Sequence, residues 1–338
     1  MDFSGARWLG RRGLSIDQRA PLAALRRPVS APPEISVLVC TRNRAKALAR
    51  CLAAISSQRS SFAFETLVVD NGSADDTRAC VDAARRTDPS IRYLFEAEPG
   101  LSLARNRGAG AAAAPILISL DDDAEPAQNW LEAFHAAARE SDAAAIGGPI
   151  LARFETQAPV WLAGQLRVLS AQDYGAERRT IDSPPYLFGG NLAIRRADLE
   201  RIGGFDERFG RKGGALLQGE DIDLCERLLA AGRPLLYEPG AIVYHWISPE
   251  RFEPSYLRKR AFDTGRTLGL HMQKRLSRGA LVGELLKKSL KLPLHAAVWA
   301  GASLVGERET VTARERSLFV TLGLLRHLVR VRSRRGAA

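Results

Sequence analysis

Residues 115 to 126 read Pro-Ile-Leu-Ile-Ser-Leu-Asp-Asp-Asp-Ala-Glu-Pro. An apolar run of the kind that fills a strand buried on both faces ends abruptly in three consecutive carboxylates. Pro126 suits the first turn of a following helix, so Asp121, Asp122 and Asp123 are expected at the carboxyl end of a central parallel strand. Open α/β sheets bind their ligands at that edge. Three adjacent like charges repel one another unless a cation neutralises them, and all-oxygen ligation suits Mg²⁺ or Mn²⁺. The alternative for the same residues is a solvated acidic turn that caps the next helix.

Upstream, the chain repeats one unit. Ile35 to Cys40 is a short apolar run that ends in Thr41-Arg-Asn-Arg44 and leads into a helix-period stretch, Ala45 to Gln58. Phe64 to Asp70 is a second strand, Asn71-Gly72 a tight turn, and Ser73 to Asp76 a capping box before a helix to Arg86. Ile91 to Glu96 and Leu101 to Ala113 give a third strand and helix. The alternation predicts a doubly wound, mostly parallel sheet flanked by helices. Asp70 ends its strand as Asp121 ends another, where a carboxylate can accept from a ribose hydroxyl or a base N–H, or else form the turn before Asn71. The glycine-rich loops of dinucleotide and P-loop folds do not follow the first strand.

Downstream, Pro99 to Gly108 carries Arg105, Asn106 and Arg107 within one helical turn, beside the strand that ends in Asp121. Guanidinium groups near a metal suggest a phosphate-bearing ligand, although Arg107 reads better as a solvated surface residue. Asn129 to Arg139 is an amphipathic helix and Ala144 to Phe154 contains another strand. Residues 155 to 187 are irregular and aromatic, a lid over a site or a packing excursion. In Gln218 to Gly232, Glu220, Asp221 and Asp223 crowd the first turn of a helix. Capping explains one or two of these acids, and Gly219 leaves room for one to approach a ligand as a base. Leu235 to Tyr237 and Ala241 to Trp246 read as a hairpin-like pair, with His245 at a strand end as a metal ligand or a structural imidazole.

Over 338 residues the net charge is +11, and it is unevenly placed. Residues 35 to 249 carry 24 basic and 28 acidic groups, whereas residues 250 to 338 carry 19 and 7. A mildly acidic centre argues against nucleic acid as a partner, and the basic C-terminal quarter favours contact with an anionic membrane surface. Cys40, Cys51, Cys80 and Cys225 are scattered and suit small core residues in a reducing compartment. No apolar signal segment opens the sequence, and Leu290 to Val305 is broken by Lys291, Pro293 and His295. A cytoplasmic protein, held peripherally on the inner face of the plasma membrane, is expected.

Taken in order, these motifs resemble the family 2 glycosyltransferases of GT-A fold. The matches are Val37 to Arg44, Leu67 to Ser73, Leu103 to Gly108, Leu120 to Asp123, Phe188 to Asn191, Gly203 to Asp206 and Gly219 to Asp223. The resemblance covers residues 35 to 247 and implies inverting transfer of one sugar from a nucleotide-diphosphate sugar to a carbohydrate or lipid-linked acceptor. It implies that Thr41, Arg44, Asp70 and Arg105 hold the nucleotide sugar, together with Asp121, Asp122, Gly190 and Asn191. Asp121 and Asp123 would form the D-x-D motif, with Asp123 the principal ligand of Mn²⁺ or Mg²⁺ and His245 a further one. Asp221 would be the general base, with Glu220 beside it. The Gln-x-x-Arg-Trp motif of processive synthases is missing after Asp221, which favours one sugar per encounter.

The expected organisation is an arm over residues 1 to 34, a GT-A domain over 35 to 249 and a basic helical region over 250 to 338. Within the domain, residues 35 to 125 form the nucleotide half and 126 to 249 the acceptor half. Phe252 to Arg275, Leu281 to Val305 and Arg314 to Arg332 have helical periods that place basic residues beside Leu, Phe and Val, as in helices that lie on anionic lipid. Two other classes compete with the transferase. A sugar-nucleotide nucleotidyltransferase would need a Gly- and Arg-rich loop after the first strand, and a non-catalytic GT-A scaffold would have lost its acids.

Overall fold

A computed structural model describes residues 31–305 and 308–335, so most of the expected N-terminal arm lies outside the described residues. The first half alternates strand and helix as its apolar periods predict. Strand β1 (Ile35–Thr41) leads to α1 (Ala45–Ser56), β2 (Phe64–Asp70) to α2 (Thr77–Thr87), β3 (Ile91–Phe95) to α3 (Leu101–Ala111), and β4 (Ile116–Asp121) follows. The second half contains β5 (Ala124–Pro126), α4 (Trp130–Glu140), β6 (Ala145–Gly147), β7 (Ile150–Phe154), β8 (Arg179–Thr180) and β9 (Asn191–Arg195). It continues through α5 (Arg196–Arg201), α6 (Glu220–Ala230), β10 (Leu235–Tyr237) and β11 (Val243–Ile247) to three long helices, α7 (Pro254–Arg275), α8 (Arg278–Val305) and α9 (Arg308–Arg335).

Among the described residues the main sheet runs β3-β2-β1-β4-β9-β6-β10-β8. Strand β1 pairs in parallel with β2 on one side and β4 on the other, so the winding direction reverses between them. Such a switch point opens a crevice at the carboxyl edge, and Thr41 and Asp121 stand there. Strand β9 is antiparallel to both β4 and β6, which makes the sheet mixed. Alternate residues serve opposite cores: Val37, Val39, Ile118 and Leu120 pack on one side with Leu52, Trp130 and Phe134, while Leu38, Leu67 and Leu117 pack on the other with Leu224, Leu228 and Tyr237.

Three expectations about local structure need correction. Pro126 ends a short strand that pairs with β11 instead of opening a helix; helix α4 begins four residues later. The segments 235–237 and 241–246 do not form a hairpin, because β10 joins β6 in the main sheet whereas β11 lies between β5 and β7 in a second one. Each strand finds apolar neighbours in a different layer. The capping box is also not formed: Asp75 rather than Ser73 accepts from Thr77 N, at 3.2 Å, and the Ser73 hydroxyl accepts from Asn43 N at 2.9 Å.

The basic C-terminal helices pack as a layer. Gly265 and Gly323 let α7 and α9 approach until their backbones touch, since a Cβ at either would strike a carbonyl of the other helix. Phe252 and Leu257 join a small core with Leu162, Leu169 and Ile247 that fastens this layer to the sheet domain. No helix among the described residues is long and apolar enough to cross a membrane.

Candidate active site

A cleft of about 490 Å³ opens at the switch point, lined by Thr41, Arg44, Arg105, Asp121 to Asp123, Gly190 and Gly219 to Asp221, among others. Strand β4 delivers Asp121, and the turn after it turns Asp122 and Asp123 back toward β1. Thr41 donates its hydroxyl to Asp122 Oδ2 at 2.7 Å, and Arg44 Nη1 bridges Asp122 Oδ1 at 3.0 Å and Asp123 Oδ2 at 2.6 Å. Strand β11 brings His245 Nε2 to 3.2 Å from Asp123 Oδ1. Arg251, which follows β11, donates to Asp123 Oδ2 and lies 3.0 Å from His245 Nε2.

These neighbours separate the protonation behaviour of adjacent acids. Burial pushes Asp122 up, and the charge of Asp123 adds to it against the counteracting Arg44. Burial acts on Asp123 too, but His245, Arg251 and Arg44 together outweigh it and hold the carboxyl well below the usual carboxylate range. An ionised Asp123 is what a cation requires. One ligand atom each from Asp121, Asp123 and His245 lies within 4.8 Å of the others, and the buried Nδ1 of His245 has no hydrogen-bond partner among the described residues. Two carboxylates and an imidazole suit Mn²⁺ or Mg²⁺, so the residues present fit a divalent ion.

The opposite wall is the start of α6. Gly219, with φ +92°, sets the helix direction, and a Cβ there would collide with His271 and Thr267 of α7. Arg105 of α3 donates to Glu220 Oε1 at 2.8 Å and lies 3.6 Å from Asp121 Oδ1, which ties the two acidic walls together. Asp221 Oδ2 accepts from Gly189 N at 3.0 Å and Oδ1 from its neighbour Ile222 N at 2.8 Å. Burial nevertheless pushes Asp221 up, against Gly189 N–H and Arg105, and burial with the charge of Asp221 pushes Glu220 up. Glu220 Oε2 is buried without a partner among the described residues. An unsatisfied acceptor beside a carboxylate of raised pKa is suited to meeting a substrate hydroxyl.

Not every residue singled out in the sequence reaches the cleft. Asp70 accepts from Ser73 N at 2.8 Å and from the Tyr93 hydroxyl at 2.9 Å, which occupies both of its oxygens. Asn191 is 1% exposed and its amide is consumed by Trp130 Nε1, Pro149 O and Ala241 O. Its neighbour Gly190 does line the cleft, and a Cβ there would strike Asp121. In the other direction, Arg211, Arg251 and Arg260 belong to the site although nothing in their local sequence distinguishes them.

The family model described as glycosyl transferase family 2 matches residues 36–203, the span that contains β1, β4 and the triple acid. The chain belongs to glycosyl transferase family 2. A second model, described as the N-terminal domain of galactosyltransferase, matches residues 180–236, which include Glu220 and Asp221. Among curated relatives, the pre-mycofactocin glycosyltransferase of Mycobacterium tuberculosis is 28% identical over 239 residues, 67% of this chain and 47% of that one. The present chain thus spans about half the length of that relative. The succinoglycan biosynthesis protein ExoM of Rhizobium meliloti is 29% identical over 70% of this chain and 74% of its own. Among solved structures, a mannosyltransferase of Pyrobaculum calidifontis, in complex with GDP-Man and Mn²⁺, superposes with a TM-score of 0.60 at 19% identity and 88% coverage of both chains, so this family member has the fold of that enzyme.

Proposed function

We propose that this chain is an inverting, metal-dependent glycosyltransferase that moves one sugar from a nucleotide-diphosphate sugar to a hydroxyl of a carbohydrate or lipid-linked acceptor, in cell-envelope or exopolysaccharide assembly. The observation that carries this reading is the facing of two acidic walls across one cleft: Asp121, Asp123 and His245 on one side, Glu220 and Asp221 on the other. The relative named for succinoglycan biosynthesis supports the substrate class.

Asp121, Asp123 and His245 would hold Mn²⁺ or Mg²⁺, which when bound supplies charge neutralisation to a diphosphate leaving group. Thr41 and Arg44 fix Asp122 and Asp123 so that the ligand atoms are set before the donor arrives. Asp221 takes the proton of the acceptor hydroxyl as its oxygen attacks the anomeric carbon from the side opposite the departing diphosphate. That displacement needs one carboxylate and inverts the centre, by analogy with single-displacement glycosidases. Glu220, held by Arg105, accepts a hydrogen bond that orients the acceptor. Asp70 serves the donor indirectly, by fixing the turn at residues 71 to 73 beside the cleft.

The acceptor is reached at an anionic membrane surface, by a protein on the cytoplasmic side. Support comes from α8, where Val282, Leu286, Leu290, Leu294 and Val298 are exposed at intervals of four, among Lys287, Lys288 and Lys291.

The experiment that tests the reading is a melting-temperature panel of UDP, GDP, dTDP and CMP, each with and without Mn²⁺, on wild type and Asp123→Ala. Specific binding raises the melting temperature by mass action. A rise for one nucleotide that requires both the metal and Asp123 is expected, and no rise for any nucleotide would favour the non-catalytic scaffold.

A further inference from the structure

The second charged feature of the cleft is cationic and has no counter-ion among the described residues. Arg260, on α7, is 5% exposed and lines the cleft, yet its guanidinium meets only neutral acceptors. It donates to Val168 O, and Nη2 lies 3.2 Å from both Ser170 Oγ and Gln218 Oε1. Arg211 lines the same wall, and among the described residues its guanidinium has neither an ion pair nor a hydrogen bond; only its backbone carbonyl is engaged, by Leu101 N at 2.9 Å. Tyr256 reports the local field. Burial alone would push its phenol up, but Arg251, Arg260, Arg211 and Arg44 outweigh it and lower it. Burial and the like charges of Arg211 and Arg251, against the neighbouring Tyr256 hydroxyl, take Arg260 itself down to about 10. A buried guanidinium with neutral partners and cationic neighbours costs stability unless an anion joins it in use.

We infer that Arg260 and Arg211 form an anion subsite on the acceptor side of the cleft, which takes a phosphoryl group carried by the acceptor. Its placement on that side follows from its contacts, and this step rests on the reading of Asp221 as the base. Arg260 is bound to Gln218, three residues before Asp221, and to residues 168 and 170. The donor side has its own guanidiniums, Arg44 and Arg251, both committed to Asp123. Guanidinium forks match the tetrahedral oxygens of a phosphate and are weakly hydrated, which suits a half-closed cleft. A phosphorylated acceptor bound here presents its hydroxyl toward Glu220 and Asp221.

Calorimetric titration of the full chain, saturated with Mn²⁺ and with whichever nucleotide the melting panel selects, tests this. The probes are inorganic phosphate, farnesyl phosphate and farnesol. Farnesyl phosphate should bind on top of the nucleotide, farnesol should not, and Arg211→Gln and Arg260→Gln should each weaken the phosphate probe by about tenfold or more. Among the described residues the Arg211 guanidinium makes no ion pair or hydrogen bond that folding would lose, so its variant reads binding even if Arg260→Gln fails to fold. Equal binding of inorganic phosphate assigns the site to the phosphoryl group alone, and binding of farnesyl phosphate only assigns it to a lipid headgroup; both support the subsite. Displacement of the probe by the nucleotide would overturn it, because the guanidiniums would then serve the donor diphosphate, and so would unchanged affinity in both variants. If no nucleotide binds, the same titration is read on the chain with Mn²⁺ alone, and the donor reading fails separately.

Discussion

Arg105 and Glu220, 115 residues apart, form a buried ion pair at 2.8 Å that ties α3 to the first turn of α6 across the floor of the cleft. The guanidinium reaches Asp121 with its other amino group, at 3.6 Å. Both partners are nearly sealed from solvent, so neither can be rehydrated cheaply when the other is lost.

Breaking the pair from one side therefore costs more than removing it. Arg105→Met is expected to lower unfolding free energy by about 3 kcal/mol. Arg105→Met with Glu220→Gln should recover part of it, since the Glu220 charge leaves with its partner while Asp121 still loses the guanidinium. Urea denaturation of the two single variants and the double variant measures the coupling, and additive losses would show that the pair does not act as one unit.

Binding and chemistry should separate between the two walls. Asp123→Ala is expected to abolish metal-dependent nucleotide binding and with it transfer. Asp221→Asn keeps the shape and the acceptor for Gly189 N–H, so nucleotide binding should persist while turnover falls by about 10²-fold or more. A single-turnover assay beside a nucleotide titration distinguishes them, and wild-type turnover in Asp221→Asn would end its assignment as the base.

In the proposed mechanism Asp221 and Glu220 set the acid limb of the pH profile. Burial raises both Asp221 and Glu220, so activity should fall with acidity at a pH above the ~3.9 of an unperturbed Asp. Glu220→Gln removes a like charge from beside Asp221, and the limb should move to lower pH. A limb that moves upward, in kcat/KM measured against pH, would contradict the coupling.

Asp122 gives a stability test with a definite sign. Its carboxyl is raised in the folded state, so the stability it contributes is complete below the unfolded value of about 3.9 and is lost as pH rises through the folded value. Asp122→Asn cannot ionise and can still accept from Thr41. At pH 7, without metal, its melting temperature should exceed wild type by about 2 °C or more, and the gap should close near pH 4. Asp123 has the opposite sign: its lowered carboxyl contributes stability that disappears only as pH falls through the depressed value.

The first four strands were legible because their apolar runs end in polar clusters, and in a parallel alternation all those ends share one edge. The partners of β9, β10 and β11 were not, since runs of three to five apolar residues state that a strand is buried and not which sheet receives it. Asn191 and Gly190 show the limit of a motif: adjacent residues point apart, one amide spent inside the fold and one glycine open to the cleft. Arg260 was invisible as a site residue because an arginine on a basic amphipathic helix looks the same whether it faces water or a cleft, and Arg251, in the short turn Pro249–Phe252 before α7, carries no periodic signal at all. Only the packing of Phe252 and Leu257 against the sheet domain turns them inward.

The same packing leaves α8 as the helix that meets the surroundings. Helices α7 and α9 bury their small residues against each other, while the i+4 ridge of α8 from Val282 to Val298 stands in solvent, with Leu290 81% exposed. An apolar ridge with lysines beside it is favourable on anionic lipid, where each lysine near the surface adds about 1 kcal/mol. Wild-type protein should sediment with phosphatidylglycerol vesicles and less with phosphatidylcholine, and Leu286→Ser with Leu290→Ser and Leu294→Ser should abolish sedimentation without lowering the melting temperature. A second copy of the chain is the competing occupant of the ridge. A wild-type dimer in light scattering that fails to sediment and becomes monomeric in the triple variant would assign α8 to self-association and remove the membrane from the proposed function.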